Sequence, residues 1–549
     1  MEIESPTLTP TTEYQPTSVC HVVAVPYPGR GHINPMLCLC DLLLSKNPKI
    51  FITFVVTEEW LDLISSDARG STGRSNFRFT TLPNVIPSEH QRAKDFPGFL
   101  DAVCTKLEAP FERLLDGLEE PPLVIVADTF VKWALAVGNH KNIPVASLWT
   151  QSMSMYSMLY HFKLLQMNGH FPIDPSERGD EVVDYIPGVA PTRIADLPTF
   201  FTGDGSKVLS QAIECISIAS KAQFFLSTSF SELEPLALEA LRPGISAPIY
   251  SIGPAIPFLR LIINDSSSSS GSRRGDNNIN TPADQHATDD INYLEWLDSQ
   301  PSRSVLYVSL GSFLSVSDTQ LEEIVAGVLD SGCRFLWVAR GDTITSTSFI
   351  RDNMAATTMG YCYYYSESGG QIGQRRGVIV PWCDQLRVLC HDSVGGFWTH
   401  CGWNSTLEAI FSGVPMLTCP IFWDQIHNAK QIVEDWKIGF RVKKNFGGST
   451  EELVTRQEIT QLVRKLMMEE EEEEDSEKRG SGSSTNSSTS TDMMRIRSKG
   501  LQQCCLKAIA RDGCGGSSDR NLDAFIGDIL LHKTKRELHI LEDACTGRG

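Results

Sequence analysis

Residues 382–425 read WCDQLRVLCHDSVGGFWTHCGWNSTLEAIFSGVPMLTCPIFWDQ, and the order of elements inside them decides the fold. The apolar run VGGFWT, 394–399, predicts a buried strand; the turn His400-Cys401-Gly402-Trp403 follows, and a helix begins near Asn404-Ser405. A helix start presents unpaired N–H groups and the positive end of the macrodipole, which together suit a phosphate. Gly402 permits a tight turn, and His400 can donate to a phosphoryl oxygen. A local alternative is a capping box, Ser405-Thr406-Leu407-Glu408, in which Ser405 and Glu408 only finish the helix. His391, His400, Cys390 and Cys401 raise zinc, but their spacings match no paired CxxC or HxxxH arrangement.

Similar β-branched apolar runs recur along the chain: HVVAVPY, KIFITFVVT, PLVIVAD, PVASLWT, QFFLSTS, SVLYVSLGS, RFLWVAR, GVIVPW, GGFWT and PMLTCP. Their apolar continuity fits parallel strands covered on both faces by helices, so the fold class is α/β with doubly wound parallel sheets. Residues 259–290 have the Ser-rich composition of a linker and separate the strand-rich halves. The expected organisation is an N-terminal domain over 1–258 and a C-terminal domain over 291–549, with a helix near 516–532 closing the chain. Ligands of such sheets bind beyond the carboxyl ends of the strands, so both domains should turn those ends toward a shared cleft. Residues 341–377 follow a strand without clear period, and residues 469–496 join the acid run EEEEEED to SGSSTNSSTSTD, for which disorder is expected.

The first strand runs into Tyr27–Met36, YPGRGHINPM, which is either a phosphate cradle or a mount for His32. If phosphates bind at the second loop, His32 is left at a strand's carboxyl end facing the cleft, where an imidazole suits general-base work. Such a base is oriented by a carboxylate, and Asp128 ends the run LVIVAD on the same rim if both strands share a parallel sheet. Asp128 read locally is equally a cap for the helix DTFVKWALAV. Pro35 is compatible with a first helical turn. Thr150 touches sugar or acceptor, or simply finishes a strand. Residues 151–170, rich in Met and aromatics, line an apolar acceptor pocket or form a buried helix. A nicotinamide reading of the first loop fails at its third glycine position, where Asn34 stands, and finds no acid at the second strand's end before Glu58.

The chain has 549 residues, 41% apolar and 21% charged, enough for two or more domains. A formal net charge of −19 argues against nucleic acid or an anionic membrane as main partner. The N-terminus lacks a secretory h-region, no run is long enough for a membrane span, and 15 cysteines without a signal point to reduced thiols in a cytoplasmic protein.

The passage from Trp382 through HCGWNS to the closing Asp-Gln resembles the signature box of plant family 1 UDP-glycosyltransferases. GHINP, Asp128, YIPG (185–188), LSTSFSELE (226–234), YSIGP (250–254) and WLDSQPSRSVLYVSLGS (296–312) fall in that family's order. The resemblance implies a GT-B fold, two Rossmann-like domains facing a cleft, with UDP-sugar held mainly by the C-terminal one. It assigns uracil to Trp382 with Cys383 and Gln385 nearby, and the ribose hydroxyls to Glu408. It gives the diphosphate to His400, Asn404, Ser405 and Ser312, with Gly402 among the donor-site residues, and the sugar hydroxyls to Trp403, Asp424 and Gln425. It makes His32 and Asp128 the catalytic pair of a plant secondary-metabolism enzyme, a monomer. The reaction it implies is inverting transfer of glucose from UDP-glucose to a small lipophilic acceptor, without a metal or a tightly bound cofactor. A non-catalytic UDP-sugar binder is the other reading, and it has no need of both His32 and Asp128. The box opens Trp-Cys-Asp-Gln where many members have Trp-Ala-Pro-Gln, Trp423 occupies a variable position, and 341–377 and 469–496 are longer than is usual.

Overall fold

The structure is a computed structural model. It describes residues 20–66, 75–172, 174–201, 206–261, 293–311, 316–339, 355–356, 363–365, 376–442, 453–468 and 490–546. Ser312, nearly all of the 259–290 linker, most of 341–377 and residues 469–489 lie outside this set.

The first sheet contains β1 (Cys20–Val25), β2 (Ile50–Thr57), β3 (Phe77–Leu82), β4 (Val124–Asp128), β5 (Val145–Trp149), β8 (Phe224–Ser227) and β9 (Ile249–Ser251), while β6 (Val182–Val183) and β7 (Thr192–Arg193) form a separate hairpin. Its order is β3-β2-β1-β4-β5-β8-β9, parallel throughout. The second sheet contains β10 (Val305–Ser309), β11 (Arg334–Val338), β12 (Ala355–Ala356), β13 (Tyr363–Tyr365), β14 (Gly377–Val380), β15 (Val394–Thr399), β16 (Met416–Thr418) and β17 (Gly439–Arg441). Its order is β12-β13-β14-β11-β10-β15-β16-β17. Every run read as a strand is one. The elements not foreseen are edge strands, two short hairpin strands, and the antiparallel pair β12–β13 within 341–377.

The strand order decides where chemistry can occur. In the first sheet the winding reverses between β1 and β4, and in the second between β10 and β15, so a crevice opens beyond the carboxyl ends at each reversal. Val25 pairs with Ala127 and Asp128 with Leu148, so the ends of β1, β4 and β5 share one rim. Ser309 pairs with Thr399, which brings the loops after β10 and β15 together in the same way.

Two expectations about the C-terminal region are corrected. Residues 490–496 are not disordered: the helix Ser490–Ile509 begins there, Thr491 and Met494 are buried, and Thr491 Oγ1 donates to the Lys465 carbonyl at 3.1 Å. The Ser/Thr composition hid a segment whose apolar side chains have a packing partner. The final helix is longer than expected, Ser517–Thr546, and packs on the first sheet at β9. Its buried stripe Leu522, Phe525, Ile526 and Ile529 repeats at helical spacing, and Phe525 meets Phe224 at 5.7 Å and Tyr250 at 5.5 Å between ring centroids. Asn521 Nδ2 donates to the Ser251 carbonyl at 2.9 Å. Residues 291–549 are therefore not one spatial unit, because the edge of the first sheet at β9 supplies the apolar cover this stripe needs.

Candidate active site

The helix Arg30–Lys46 follows β1, and His32 stands in its first turn with its N–H bonded to the Gly29 carbonyl at 3.0 Å. His32 Nδ1 lies 2.8 Å from Asp128 Oδ2 and 3.0 Å from Thr150 Oγ1. The Asp128 side chain is fully enclosed whereas that of His32 is 18% exposed. The other carboxylate oxygen, Oδ1, accepts the Phe130 N–H at 2.9 Å, so Asp128 orients the histidine and braces its own loop at once. The Tyr27 and Phe130 rings pack against the imidazole at 4.9 and 5.9 Å between centroids. Thr150, which the sequence left between two roles, is a neighbour of the histidine.

Pro35 lies in the second turn of this helix and not the first, since the helix begins at Arg30. A proline there cannot donate to the carbonyl four residues earlier, that of Gly31. That carbonyl instead accepts from Asn404 Nδ2 at 3.1 Å, across the cleft. The proline that interrupts one helix thereby leaves an acceptor for the start of another.

On the facing side the helix Trp403–Ser412 has Gly402 as its N-cap and no side-chain cap. The capping-box alternative fails for a geometric reason: Ser405 is the third helical residue, and Gln385 Nε2 donates to Ser405 Oγ at 2.8 Å and to Glu408 Oε2 at 2.5 Å. Tyr307 in β10 donates to Gln385 Oε1 at 3.1 Å. Gln385, Ser405 and Glu408 thus form one polar group, and Trp382, 43% exposed, stands three residues before Gln385. Cys383 is buried, with Sγ 3.4 Å from the Tyr307 hydroxyl.

Gly402 is needed for a different reason than a tight turn. Its φ is −59°, and Cys401 carries the left-handed conformation at φ 65°. A Cβ on Gly402 would come 2.5 Å from His400 Nε2, and one on Gly311, itself at φ +85°, would come 2.8 Å from the same ring. The two glycines make a slot for the His400 imidazole. Burial pushes its pKa down to about 4, partly offset by the Ser309 carbonyl, so at neutral pH it acts as an uncharged group. Its Nδ1 is buried and has no hydrogen-bond partner among the described residues.

Asp424 and Gln425 follow in the loop after β16. Burial raises the Asp424 carboxyl to about 6 against the lowering effect of the Asn428 amide, its own backbone and the nearby His32. Asn428 Nδ2 donates to Asp424 Oδ2 at 2.8 Å and to the Cys401 carbonyl at 3.0 Å, tying the two loops together. Gln425 Oε1 accepts from the Ile421 and Phe422 N–H groups at 2.9 and 3.1 Å. Trp403 departs from expectation: its ring is packed in the core, 4% exposed, and its Nε1 has no partner among the described residues.

Residues that sequence reasoning missed connect the two halves. Thr199 exchanges hydrogen bonds with the Trp423 main chain, and Arg441 pairs with Asp196 at 2.5 Å. Glu234, in the quoted SELE run but given no role, is buried and accepts from the Met153 and Ser154 N–H groups at 2.9 and 3.0 Å and from the Ser229 hydroxyl at 2.7 Å. It braces the start of the helix Met153–Tyr160, whose Met153, Met155 and Met158 are wholly buried, so this part of 151–170 is core. No local period signals such partners, which lie some 80 positions apart in the chain. Among the described residues no group of three or more His, Cys, Asp or Glu side chains is placed to hold a metal ion, and no helix is long and apolar enough to cross a membrane.

Two parallel-sheet domains, each presenting its switch point to a common cleft, define a two-domain Rossmann-like α/β protein. The pattern of the family described as "UDP-glucoronosyl and UDP-glucosyl transferase" matches residues 277–464. The chain is 45% identical to UDP-glycosyltransferase 87A2 of Arabidopsis thaliana over 518 residues, 94% of this chain and 98% of that protein. It also resembles two solved structures. One is UGT71G1 of Medicago truncatula complexed with UDP-glucose, at TM-score 0.70 and 22% identity, covering 94% of this chain and 99% of that one. The other is Os79 of O. sativa complexed with UDP, at TM-score 0.68 and 25% identity, covering 92% and 100%. The chain belongs to the plant family 1 UDP-glycosyltransferases; its fold is GT-B and it is a glycosyltransferase.

Proposed function

We propose that this protein transfers glucose from UDP-glucose, with inversion, to a hydroxyl or carboxyl of a small lipophilic acceptor, giving a β-glucoside and UDP. The carrying observation is the 2.8 Å contact between His32 Nδ1 and an Asp128 carboxylate that is fully enclosed. With Nδ1 engaged, Nε2 is the nitrogen that takes the acceptor proton as the acceptor oxygen attacks the anomeric carbon. The bond to the diphosphate breaks on the opposite face, and Asp128 stabilises the imidazolium that forms. Such a base contributes roughly 10²–10⁴-fold.

The leaving diphosphate is received by main-chain N–H groups at the start of the Trp403–Ser412 helix, with His400 as a neutral N–H donor and Ser312 assisting. Trp382 stacks on uracil, beside Cys383; Glu408, turned by Gln385, accepts the ribose hydroxyls; Asp424 and Gln425 hold the glucose hydroxyls. Asn404, whose Nδ2 also bridges to the Gly31 carbonyl, holds the diphosphate near the base. The N-terminal half supplies the acceptor pocket. The relative crystallised with UDP-glucose supports the choice of donor.

The deciding experiment incubates the protein with UDP-glucose and a panel of phenols, alcohols and carboxylic acids. It measures UDP release, product mass and the anomeric coupling constant of the product. A β-glucoside supports the assignment; an α-glucoside, or UDP release that never depends on an acceptor, overturns it.

A further inference from the structure

Buried polar atoms without partners are rare in folded proteins and concentrate where a ligand completes them. Here several such atoms, without a partner among the described residues, belong to side chains of the cleft loops. His400 Nδ1, Asn404 Oδ1 and Trp403 Nε1 lie on the side of the Trp403–Ser412 helix. Tyr27 Oη, Gln151 Oε1 and Trp423 Nε1 lie on the side of His32. Trp423 is distinctive because the loop that carries it belongs to the second sheet while its ring is packed among side chains of the first.

The Trp423 main chain has φ 63°, a left-handed conformation that a non-glycine residue keeps only where the surroundings impose it. Here they do. Its N–H donates to Thr199 Oγ1 at 3.1 Å, and its carbonyl accepts the Thr199 N–H at 3.3 Å. This clamp turns the indole into an aromatic nest, with Phe200 at 4.5 Å, Phe96 at 5.5 Å and Phe130 at 6.2 Å between centroids. Phe130 in turn stands edge-on to His32 at 5.9 Å, and the residue after Trp423 is Asp424, whose carboxyl feels the His32 charge. One ring therefore separates the indole from the base.

From this we infer that Trp423 determines acceptor specificity. Its ring walls the acceptor pocket, and its Nε1–H donates to a second oxygen on a planar aromatic acceptor, remote from the hydroxyl that His32 deprotonates. The preferred acceptors are then flat phenols carrying a carbonyl, methoxy or hydroxyl oxygen about one to two rings from the attacking group, and not plain hydrocarbon phenols. A donor-domain residue would thus read the acceptor, so the acceptor pocket is complete only when the two domains meet. The inference rests on the proposed function and deepens it.

The test compares two bicyclic phenols of matching shape, 7-hydroxycoumarin, which has ring and carbonyl oxygens opposite its hydroxyl, and 2-naphthol, which has none. Wild-type protein should show the higher kcat/KM with 7-hydroxycoumarin. Trp423→Phe keeps an aromatic ring and deletes the N–H, and should reduce that preference roughly fivefold to tenfold, the worth of one buried neutral hydrogen bond. Trp423→His restores an N–H donor on a smaller ring and should recover part of the preference. UDP should still raise the melting temperature of both variants, which separates lost recognition from lost folding. An unchanged preference ratio in Trp423→Phe overturns the inference while leaving the proposed function intact. Glucosylation of alcohols or carboxylic acids but of no phenol also overturns the inference alone, whereas failure of the wild-type protein to glucosylate any acceptor of the wider panel overturns the function itself.

Discussion

Asp128→Asn separates the positioning of a base from the capping of a loop. In the native chain Oδ1 accepts the Phe130 N–H at 2.9 Å and Oδ2 faces His32 Nδ1 at 2.8 Å. Asparagine has one acceptor oxygen. Held by the Phe130 N–H, it turns its NH₂ toward Nδ1, where two donors would meet. The imidazole escapes this by moving its proton to Nε2, the nitrogen that has to receive the acceptor proton. Losing a charge-assisted hydrogen bond to the imidazolium costs about 1.5–3 kcal/mol, roughly 10-fold to 150-fold in rate at 1.36 kcal/mol per decade. The wrong tautomer adds to this; in a serine-protease triad the same change lowers kcat by about 10⁴. The expected loss of kcat in glucosyl transfer is therefore on the order of 10²–10⁴-fold, with UDP affinity by calorimetry within about threefold of wild type. Because the two residues act as a unit, His32→Ala combined with Asp128→Asn should be no worse than His32→Ala alone. A kcat for Asp128→Asn within about fivefold of wild type would refute the reasoning and leave Asp128 as a cap of the Phe130 turn.

Glu408→Ala removes a carboxylate that Gln385 holds at 2.5 Å, and UDP should bind roughly 10-fold to 100-fold more weakly in titration calorimetry; unchanged affinity would remove Glu408 from the ribose site. Asp424 titrates near 6 in the fold, so it is ionised at pH 7 and loses its acceptor character as pH falls through 6. The KM for UDP-glucose should rise on that limb, and in Asp424→Asn the limb should vanish. His427 is buried with neither ring nitrogen bonded among the described residues, and its pKa is pushed down to about 3, chiefly by burial and secondarily by Lys430. The unfolded chain takes up that proton near 6.5 and the fold does not, so this contribution to stability is complete above 6.5 and is lost as pH falls toward 3. His427→Leu should flatten the fall in melting temperature over that window, and an unaltered slope would contradict the assignment. Glu234→Gln leaves one oxygen for donors now shared between two, and should lower the unfolding free energy by about 2–4 kcal/mol in urea titration.

Much of the architecture was legible because it is encoded locally. Parallel strands buried on both faces are continuous apolar runs, so each could be read without knowing its neighbours. The glycine turn before Trp403 and the acid at the end of VIVAD carried their own signals, and family resemblance turned them into candidate roles. Composition misled at 490–496, where Ser and Thr outweighed a few apolar residues that pack. It also gave the final helix to the second domain, since nothing in a sequence states which sheet an amphipathic helix will cover.

The sequence alone determined the alternation of strand and helix, the two glycine loops and the identity of His32, Asp128 and the 382–425 box, because each rests on residue type and short spacing. Only the tertiary structure decided which atoms meet. Strand order placed the ends of β1, β4 and β5 on one rim, which brings His32 to Asp128 and Thr150. Chain folding put Gly311 and Gly402 on either side of the His400 ring and set Trp423 among the aromatics of the other domain. Those contacts join residues tens to hundreds of positions apart, and pairings at such range arise from packing and sheet topology, which no local pattern records.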